Sequence, residues 1–485
     1  MKKALAMGLG ALLVAGSAAP ASAASQIDFS GYYNLYFTNV WNQNGQTKDA
    51  KTSWSGFTNR LNLDFAFHAT DEVSVFWRLR APGNQKWGEA GTNAETYYAY
   101  GQIKQDWGTI LIGKLHDPNF YTGLSNLGWR PDGPDGSGWF TAVNPFDISD
   151  SPWDGIRYAN RWDNGFQLVG QFNRLGTAPT YSAITDPFDS TDPLDVPVWH
   201  TLSTGDEDFI DFYLLEGGYF WDGGGATLGL HYLRASMQAL DFDDTDPTQV
   251  VGYNAHTAAK AFYINPAVAH RFDNGFGIHF EGKYGSGKVG NPFTQGEDAK
   301  ANGYAAYLDV DYNYGPGNVN LAGWWASGDD GTKDKDQDFV GMGSEFKPLL
   351  IAYGDTTGLR GRNGYGAVAA AQAISGRGRG HGSLDLGTGG DLSNHWAIAL
   401  SGNHAFTDDI SVSYAVAKLS LLEVQQDADK DIGWEVDLGL QFQLLDNVKL
   451  GSAVGYFAAG DAFKQDANDK AADSVAWVST LTFSF

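Results

Sequence analysis

Four arginines lie at positions where their charges can act together: Arg60, Arg78, Arg80 and Arg157. Each stands in a segment whose alternate residues are apolar, and each belongs to the other, more polar set. In VSVFWRLR, for example, the two arginines alternate with Trp77 and Leu79. The chemistry expected of such a set is electrostatic, because arginines on one face of neighbouring strands attract and orient ions in the water they line. The alternative is that they are ordinary solvated charges without selectivity.

The polar segment 116–152 contains four carboxylates that would complement these arginines: Asp132, Asp135, Asp147 and Asp150. Aromatic residues such as Trp129 and Trp139 lie among them, which favours a segment that packs against something over one that extends into water. Folded inward, the segment would narrow the enclosed space and set its carboxylates across from the arginines. Opposed charges at a constriction create a transverse field that orients dipolar solutes and filters ions.

Covalent and metal chemistry find little support in the sequence. The chain has no cysteine and neither a G-x-S-x-G nor an H-E-x-x-H motif, and its ten histidines are scattered. The acidic runs 330–338 and 427–433 depart from the calcium-loop pattern in their glycine and glutamate positions. We therefore expect no enzyme activity, no cofactor and no defined metal site, with a Ser–His pair formed only in three dimensions as the remaining alternative.

The elements that must position these residues are β-strands. Alternation of apolar and small or polar residues recurs through the chain, as in WEVDLGLQFQL and in the closing VAWVSTLTFSF. Tight turns such as Asp163-Asn164-Gly165 and Asp273-Asn274-Gly275 alternate along the chain with long polar connections. Short turns on one side and long loops on the other are typical of a transmembrane β-barrel.

The predicted fold is therefore all-β: a transmembrane antiparallel barrel of about 18 strands, with an inward-folded third loop. The strand number is open between 16 and 20, since segment 341–355 could add a short pair. Barrels of 16 to 18 strands leave an aqueous channel. A soluble β-sandwich and a β-helix are the alternatives, but the polar face is rich in small residues and no fixed repeat is present.

The two ends of the chain predict its destination. Residues 1–23 read as a signal peptide, with Lys2 and Lys3, an apolar stretch and an Ala-Ser-Ala cleavage site, which leaves 24–485 as the barrel. The formal net charge of −25 disfavours nucleic acid as a partner. The last strand resembles the assembly signal of Gram-negative outer-membrane proteins at four positions: Trp477, Leu481, Phe483 and Phe485. That resemblance implies delivery to the cell outer membrane by the barrel assembly machinery.

Two segments also resemble the general trimeric porins of Gram-negative bacteria. AYGQIKQDWGTILIGK matches the hairpin that precedes the constricting loop in that family, at Lys104, Trp107, Gly108, Thr109 and Gly113. It departs at Gln102 and Lys114, where glycine and arginine are usual. DGIRYANRWDNGFQLVGQF, beginning at Asp154, is similar to the strand and turn that follow the loop.

The resemblance implies a homotrimeric porin for passive diffusion of ions and small hydrophilic solutes, with 116–152 as the constriction loop. The alternative is a substrate-specific channel or exporter for anionic solutes or polysaccharide. Outer-membrane lipid and lipopolysaccharide are expected partners. The loop 355–393 carries a basic cluster that would attract anionic solutes or lipopolysaccharide phosphates, or that is simply an exposed arginine-rich loop: Arg360, Arg362, Arg377, Arg379 and His381.

Overall fold

The computed structural model describes most of the barrel and one segment inside it. The described residues are 26–41, 54–81, 85–86, 94–115, 153–175, 209–243, 246–289, 299–328, 335–336, 349–353, 394–424, 429–464 and 471–485. The predicted signal peptide and the loops 116–152 and 355–393 lie outside these ranges.

Eighteen long strands and two short ones make up the sheet. In chain order they are β1 (Gln26–Trp41), β2 (Trp54–His68), β3 (Val73–Arg80), β4 (Gln85–Lys86), β5 (Glu95–Gln105), β6 (Gly108–Leu115), β7 (Trp153–Arg161), β8 (Phe166–Leu175), β9 (Phe209–Trp221), β10 (Gly224–Asp243), β11 (Asp246–Arg271), β12 (Phe276–Val289), β13 (Ala299–Asn313), β14 (Gly317–Ala326), β15 (Lys335–Asp336), β16 (His395–Thr407), β17 (Ile410–Leu421), β18 (Asp431–Leu445), β19 (Val448–Ala459) and β20 (Ser474–Ser484).

The long strands pair antiparallel in chain order and close into a barrel. The last strand, β20, pairs with β1 in a register that sets Leu35 opposite Leu481 and Tyr33 opposite Phe483. Gly31 and Phe485 exchange both backbone hydrogen bonds, at 2.9 and 3.0 Å, so the chain terminus itself completes the seam. The two-residue strands β4 and β15 pair with β2 and β13 and add nothing to the circumference. The predicted barrel of about 18 strands is confirmed.

The predicted hairpin turns connect the strands at one end of the barrel. In the turn after β7, the Gly165 N–H donates to Trp162 O at 2.9 Å, and Gly165 has a φ of 90°. The turn after β11 repeats this arrangement at Gly275, also with a φ of 90°. Glycine suits both positions because other residues rarely adopt this region. The strand ends that the long connections join lie at the opposite end of the barrel, which in outer-membrane barrels is the extracellular one.

The outer face of the barrel is apolar. Exposed aromatic and aliphatic side chains occupy alternate positions on almost every long strand, including Phe29, Leu228, Leu321, Trp434 and Trp477. Aromatic side chains of neighbouring strands also contact each other on the outer face. The ring centroid of Phe37 lies 5.0 Å from that of Phe57 and 5.3 Å from that of Trp477. An apolar outer surface of this kind is stable in contact with lipid. Closure of the barrel also leaves no unpaired strand edge in the hydrocarbon.

None of the helical structure among the described residues has the length and apolar character of a membrane-crossing helix.

The interior contains the only substantial apolar cluster among the described residues. Small side chains on the inner face of β11 to β20 pack there with segment 349–353, in which Leu349, Leu350 and Ile351 are buried. The expectation that 341–355 adds a pair of wall strands is wrong for this described part. Residues 349–353 form a turn inside the barrel, because the inner face of the completed barrel offers them an apolar surface.

Candidate functional site in the barrel interior

The four predicted arginines lie on the inner face of the barrel. In the strand register Arg60 lies opposite Asn34, and Arg78 lies opposite Asp64. Phe65, which follows Asp64, lies opposite Trp77, which precedes Arg78, and this pair is on the outer face. Three of the arginines, Arg60, Arg78 and Arg80, belong to the adjacent strands β2 and β3 and form what we call the arginine wall. The fourth, Arg157, lies apart on β7 and is 8% exposed, next to Leu111 and Gln171 in register.

Arg78 is held at the centre of the arginine wall. Its Nε and Nη2 donate to the two carboxylate oxygens of Asp64 at 2.5 and 2.8 Å, and the Tyr98 hydroxyl donates to the same carboxylate at 2.9 Å. The guanidinium also lies 4.9 Å from the ring centroid of Tyr98. Arg78 and Asp64 side chains remain 22% and 21% exposed. A bidentate pair fixes the plane of the guanidinium group.

Arg80 is supported by a tyrosine and an asparagine. Its guanidinium carbon lies 3.2 Å from the centroid of the Tyr97 ring, and its Nε donates to Asn62 Oδ1 at 3.2 Å. A register shift between Arg78 and Leu79 places Tyr97 beneath Arg80. Asn62 in turn donates to the Tyr32 hydroxyl. Stacking on an aromatic face keeps the charge of Arg80 available to solutes while limiting its motion.

The predicted acidic counterpart lies outside the described residues. Asp132, Asp135, Asp147 and Asp150 all belong to segment 116–152, so their position opposite the arginines stays a prediction. Among the described residues, the inner acids on the other side of the barrel are nearly all buried: Glu216, Glu281, Asp309, Asp311, Glu435 and Asp437.

The most extensive interior contact that sequence reasoning missed involves segment 349–353. Glu435 on β18 accepts hydrogen bonds from the backbone N–H groups of Ile351 and Ala352 at 2.6 and 2.7 Å. Asp437 accepts one from the N–H of Leu350 at 3.2 Å. The two carboxylates are 0% and 1% exposed. A turn that directs successive N–H groups at a carboxylate forms an anion-binding nest, here used to hold a loop inside the barrel.

The other end of this segment is fixed by aromatic and imidazole groups. Trp324 Nε1 donates to the Tyr353 hydroxyl at 2.6 Å, and that hydroxyl lies 2.5 Å from His395 Nε2. A Cβ built on Gly455 would lie 3.1 Å from Leu350 and 3.4 Å from Ile351, so glycine leaves room for the segment. We call the inner face of β11 to β20 with segment 349–353 the covered wall. It includes a set of buried inner alanines: Ala267, Ala269, Ala305, Ala322, Ala326, Ala397, Ala399, Ala415, Ala417, Ala453 and Ala476.

A buried cluster on β12 and β13 has the residue types of a metal site. His279, Asp309 and Asp311 could each offer one ligand atom, all within 4.8 Å of one another. However, Arg271 Nη1 already donates to Asp311 at 2.8 Å, and the Tyr307 hydroxyl donates to Asp309 at 2.6 Å. A divalent cation would have to compete with the guanidinium charge. The cluster is better suited to neutralising its own acids than to binding metal.

A Ser–His–Asp set also meets at the hairpin end of β1 to β3. His68 Nδ1 lies 2.8 Å from Ser74 Oγ, and His68 Nε2 lies 3.2 Å from an Asp28 carboxylate oxygen. Ser74 is directly opposite His68 in register, so the contact is expected of strand neighbours. Ser74 is 6% exposed. The geometry is that of a cross-strand hydrogen bond at the barrel rim.

Comparisons with known proteins support the fold. No protein-family model and no curated protein matches the chain. Among solved structures, OpdQ of Pseudomonas aeruginosa is similar with a TM-score of 0.52 and 10% identity, over 95% of this chain and 99% of that one. OccAB2 of Acinetobacter baumannii is similar with a TM-score of 0.50 and 9% identity, over 95% and 98% of the two chains.

OmpTΔL8, an outer membrane protein of Vibrio cholerae, gives a TM-score of 0.42 at 10% identity, over 96% of this chain and all of that one. Identities this low concern the fold alone. The closed 18-strand barrel and its apolar outer face place the chain in the outer membrane, as predicted. Membership of the general trimeric porin family remains a prediction.

Proposed function

We propose that the protein is an outer-membrane channel through which ions and small hydrophilic solutes diffuse passively. The observation that carries this proposal is the arginine wall: three inward guanidinium groups, two of them fixed by an acid or an aromatic ring, on the inner face of a barrel that is apolar outside. Arginines are tolerated inside a membrane barrel because water is there, whereas at the lipid midplane each would cost about 2–4 kcal/mol.

The solute path would run along the arginine wall. On the covered wall, segment 349–353 packs against the inner face, and its backbone is hydrogen-bonded to Glu435 and Asp437, so we expect solutes to be kept from this side. On the arginine wall, Arg78 and Asp64 keep about a fifth of their side-chain surface exposed. A solute passing this point would meet ordered guanidinium and tyrosine groups, which replace part of its hydration shell.

A second candidate is a channel specialised for anionic solutes. It is favoured by the distribution of charge: the arginines are partly exposed, whereas Glu435, Asp437 and Asp309 are buried and hydrogen-bonded. At the arginine wall a passing ion would therefore meet exposed cations at closer range than exposed acids. Acids from segment 116–152, if they face the interior, would reduce that preference.

Single-channel recording separates the two candidates. The refolded mature protein would be inserted in a planar bilayer, and its reversal potential measured under a salt gradient. Weak ion selectivity with conductance in steps of three supports a general trimeric channel. Strong anion selectivity and block by a small dicarboxylate support the specialised one. A preparation that inserts but does not conduct contradicts both.

A further inference from the structure

The carboxylate of Glu435 holds segment 349–353 through contacts that exclude a proton. Each of its two oxygens accepts a backbone hydrogen bond, from the N–H of Ile351 at 2.6 Å and from the N–H of Ala352 at 2.7 Å. A proton on either oxygen would turn that acceptor into a donor that points at an N–H group. Glu435 is 0% exposed, and a buried N–H group that loses its acceptor is costly. The docked arrangement therefore requires the ionised carboxylate.

The ionisable group beside Glu435 on its own strand is a second acid. Asp437 follows two residues later on the same face of β18 and accepts a hydrogen bond from Leu350 N–H at 3.2 Å. Tyr353 is the one ionisable side chain of the segment itself. Among the described residues, no arginine or lysine is paired with Glu435. The flanking strands β17 and β19 place side chains without charge opposite the two acids: Ala415, Ala417, Gly455 and Phe457.

The other end of the segment depends on an imidazole. Trp324 Nε1 can only donate, and it donates to the Tyr353 hydroxyl at 2.6 Å. We therefore assign the hydrogen of that hydroxyl to His395 Nε2, which lies 2.5 Å away. The residues opposite His395 in register, Ala326 and Leu421, are apolar. Because Nε2 accepts a hydrogen bond only in the neutral ring, uptake of a proton removes the acceptor of the Tyr353 hydroxyl.

These contacts respond to pH in the same direction. In the docked state the acceptors on the wall must stay unprotonated, whereas after release the same groups are free to bind protons. The released state therefore binds more protons, and its population rises as the pH falls. Charged groups on the adjoining connection after β17, among them Glu423 and Lys430, lie at the surface, where these two are 3.6 Å apart.

We propose that segment 349–353 is a pH-dependent gate, docked on the covered wall near neutral pH and released in acid, so that the path for solutes widens. The proposal rests on the channel function given above and adds its regulation. The apolar contacts of Leu350 and Ile351 with the covered wall do not titrate, so they favour return of the segment when the pH rises again.

The test follows docking and conductance separately in the mature protein. Trp324 is one of 16 tryptophans, so the protein is labelled with fluorotryptophan and the Trp324 fluorine resonance is assigned by comparison with Trp324→Phe. We expect this resonance to shift between about pH 7.5 and about pH 5, the range in which histidine ordinarily titrates. The docked-to-released ratio should fall by up to about tenfold per pH unit for each proton taken up on release. Single-channel conductance in a planar bilayer should rise over the same range.

Glu435→Gln imitates the protonated carboxylate, because a carboxamide presents one acceptor and one donor to the two N–H groups. Near neutral pH we expect this variant to show the Trp324 resonance that wild type shows in acid. Its docked-to-released ratio should be lower on the order of tenfold, since a hydrogen bond to a charged group contributes roughly that factor. The matched control Glu423→Gln removes an exposed acid and should keep the wild-type pH profiles.

A wild-type Trp324 resonance that is the same at both pH values would overturn the proposal, and this measurement decides even where Glu435→Gln fails to fold. A conducting wild-type channel whose conductance is unchanged or falls in acid would also overturn it, as would a wild-type pH profile in Glu435→Gln. If the resonance shifts as expected but the inserted protein conducts at neither pH, the proposed channel fails while pH-dependent docking stands.

Discussion

The two sides of the barrel interior use charge in opposite ways. On the arginine wall, cations are ordered by Asp64, Asn62 and tyrosine rings and remain partly exposed. On the covered wall, Glu435 and Asp437 are buried, and their carboxylates accept hydrogen bonds from backbone N–H groups of segment 349–353. The first arrangement presents charge to whatever enters the barrel, whereas the second uses charge to close part of it.

The difference shows that an inward charge is not by itself a solute-binding group. A buried carboxylate needs partners, because leaving it without them costs several kilocalories. Glu435 finds them in backbone N–H groups of a distant loop. Arg78 finds a partner in Asp64 but keeps part of its surface for water. Exposure, and not the direction of the side chain alone, separates the two roles.

The largest effect is expected from releasing segment 349–353. Glu435→Ala leaves the N–H groups of Ile351 and Ala352 without their acceptor, at about 1–3 kcal/mol for each buried group. We expect the segment to leave the covered wall and the single-channel conductance to increase. Glu423→Ala removes an exposed acid from the neighbouring strand connection and should leave conductance unchanged. Unaltered conductance in Glu435→Ala would mean that the segment does not obstruct the path.

A smaller effect is expected from crowding the same segment. In Gly455→Ala the new methyl group would lie 2.4 Å from an Asp437 carboxylate oxygen and 3.1 Å from Leu350. Overpacking of this kind costs about 1–3 kcal/mol, which should lower the urea midpoint of unfolding in lipid vesicles. Gly170→Ala is the matched control, since nothing lies within 4 Å of its added carbon. Equal midpoints for the two variants would contradict the contact.

On the arginine wall the expected effect is on selectivity and not on stability. Arg78→Ala removes one ordered cation, and the Asp64 carboxylate keeps the hydrogen bond that it accepts from the Tyr98 hydroxyl. We expect the anion-to-cation permeability ratio to fall by about two- to fivefold, as one charge a few ångströms away in water contributes on the order of 1 kcal/mol. Arg78→Lys should retain most of the ratio, and Lys260→Gln on the outer face should not change it. A ratio unaffected by Arg78→Ala would exclude this wall from the path.

The smallest effect is expected from the ring beneath Arg80. Tyr97→Leu removes a cation–π contact worth about 0.5–1 kcal/mol and should reduce anion preference less than twofold. Tyr100→Leu, on the same strand, removes a ring that stacks on Phe76 with centroids 5.2 Å apart. Reversal potentials of the two variants would be compared in the same salt gradient. A larger change for Tyr100→Leu would argue against ordering of Arg80 by Tyr97.

The strands and the inward position of the arginines could be predicted because both depend on a period of two along the chain. One apolar residue at every second position fixes which face meets lipid, and the Asp-Asn-Gly turns fix where strands end. The pairing of Arg78 with Asp64 follows from adjacent strands with a tight turn.

Segment 349–353 could not be predicted in the same way. Five residues in a long connection have no periodicity, and their partner Glu435 lies more than eighty positions further along the chain. Small inner residues such as Ala397 and Ala415 were compatible with water or with a packed segment, and only the three-dimensional arrangement decides. The apolar run LLIAY within a polar loop was the available signal. The opposition of Asp132, Asp135, Asp147 and Asp150 to the arginines stays a prediction.

The central claim is that solutes reach the arginine wall but not the covered wall. The chain has no cysteine, so single cysteines can be labelled without background. In a planar bilayer, Arg60→Cys and Ala399→Cys would be treated with a charged methanethiosulfonate while conductance is recorded. We predict a rapid fall in conductance for Arg60→Cys and none for Ala399→Cys until Glu435→Ala is added. Equal modification rates at both positions, with Glu435 intact, would contradict the account.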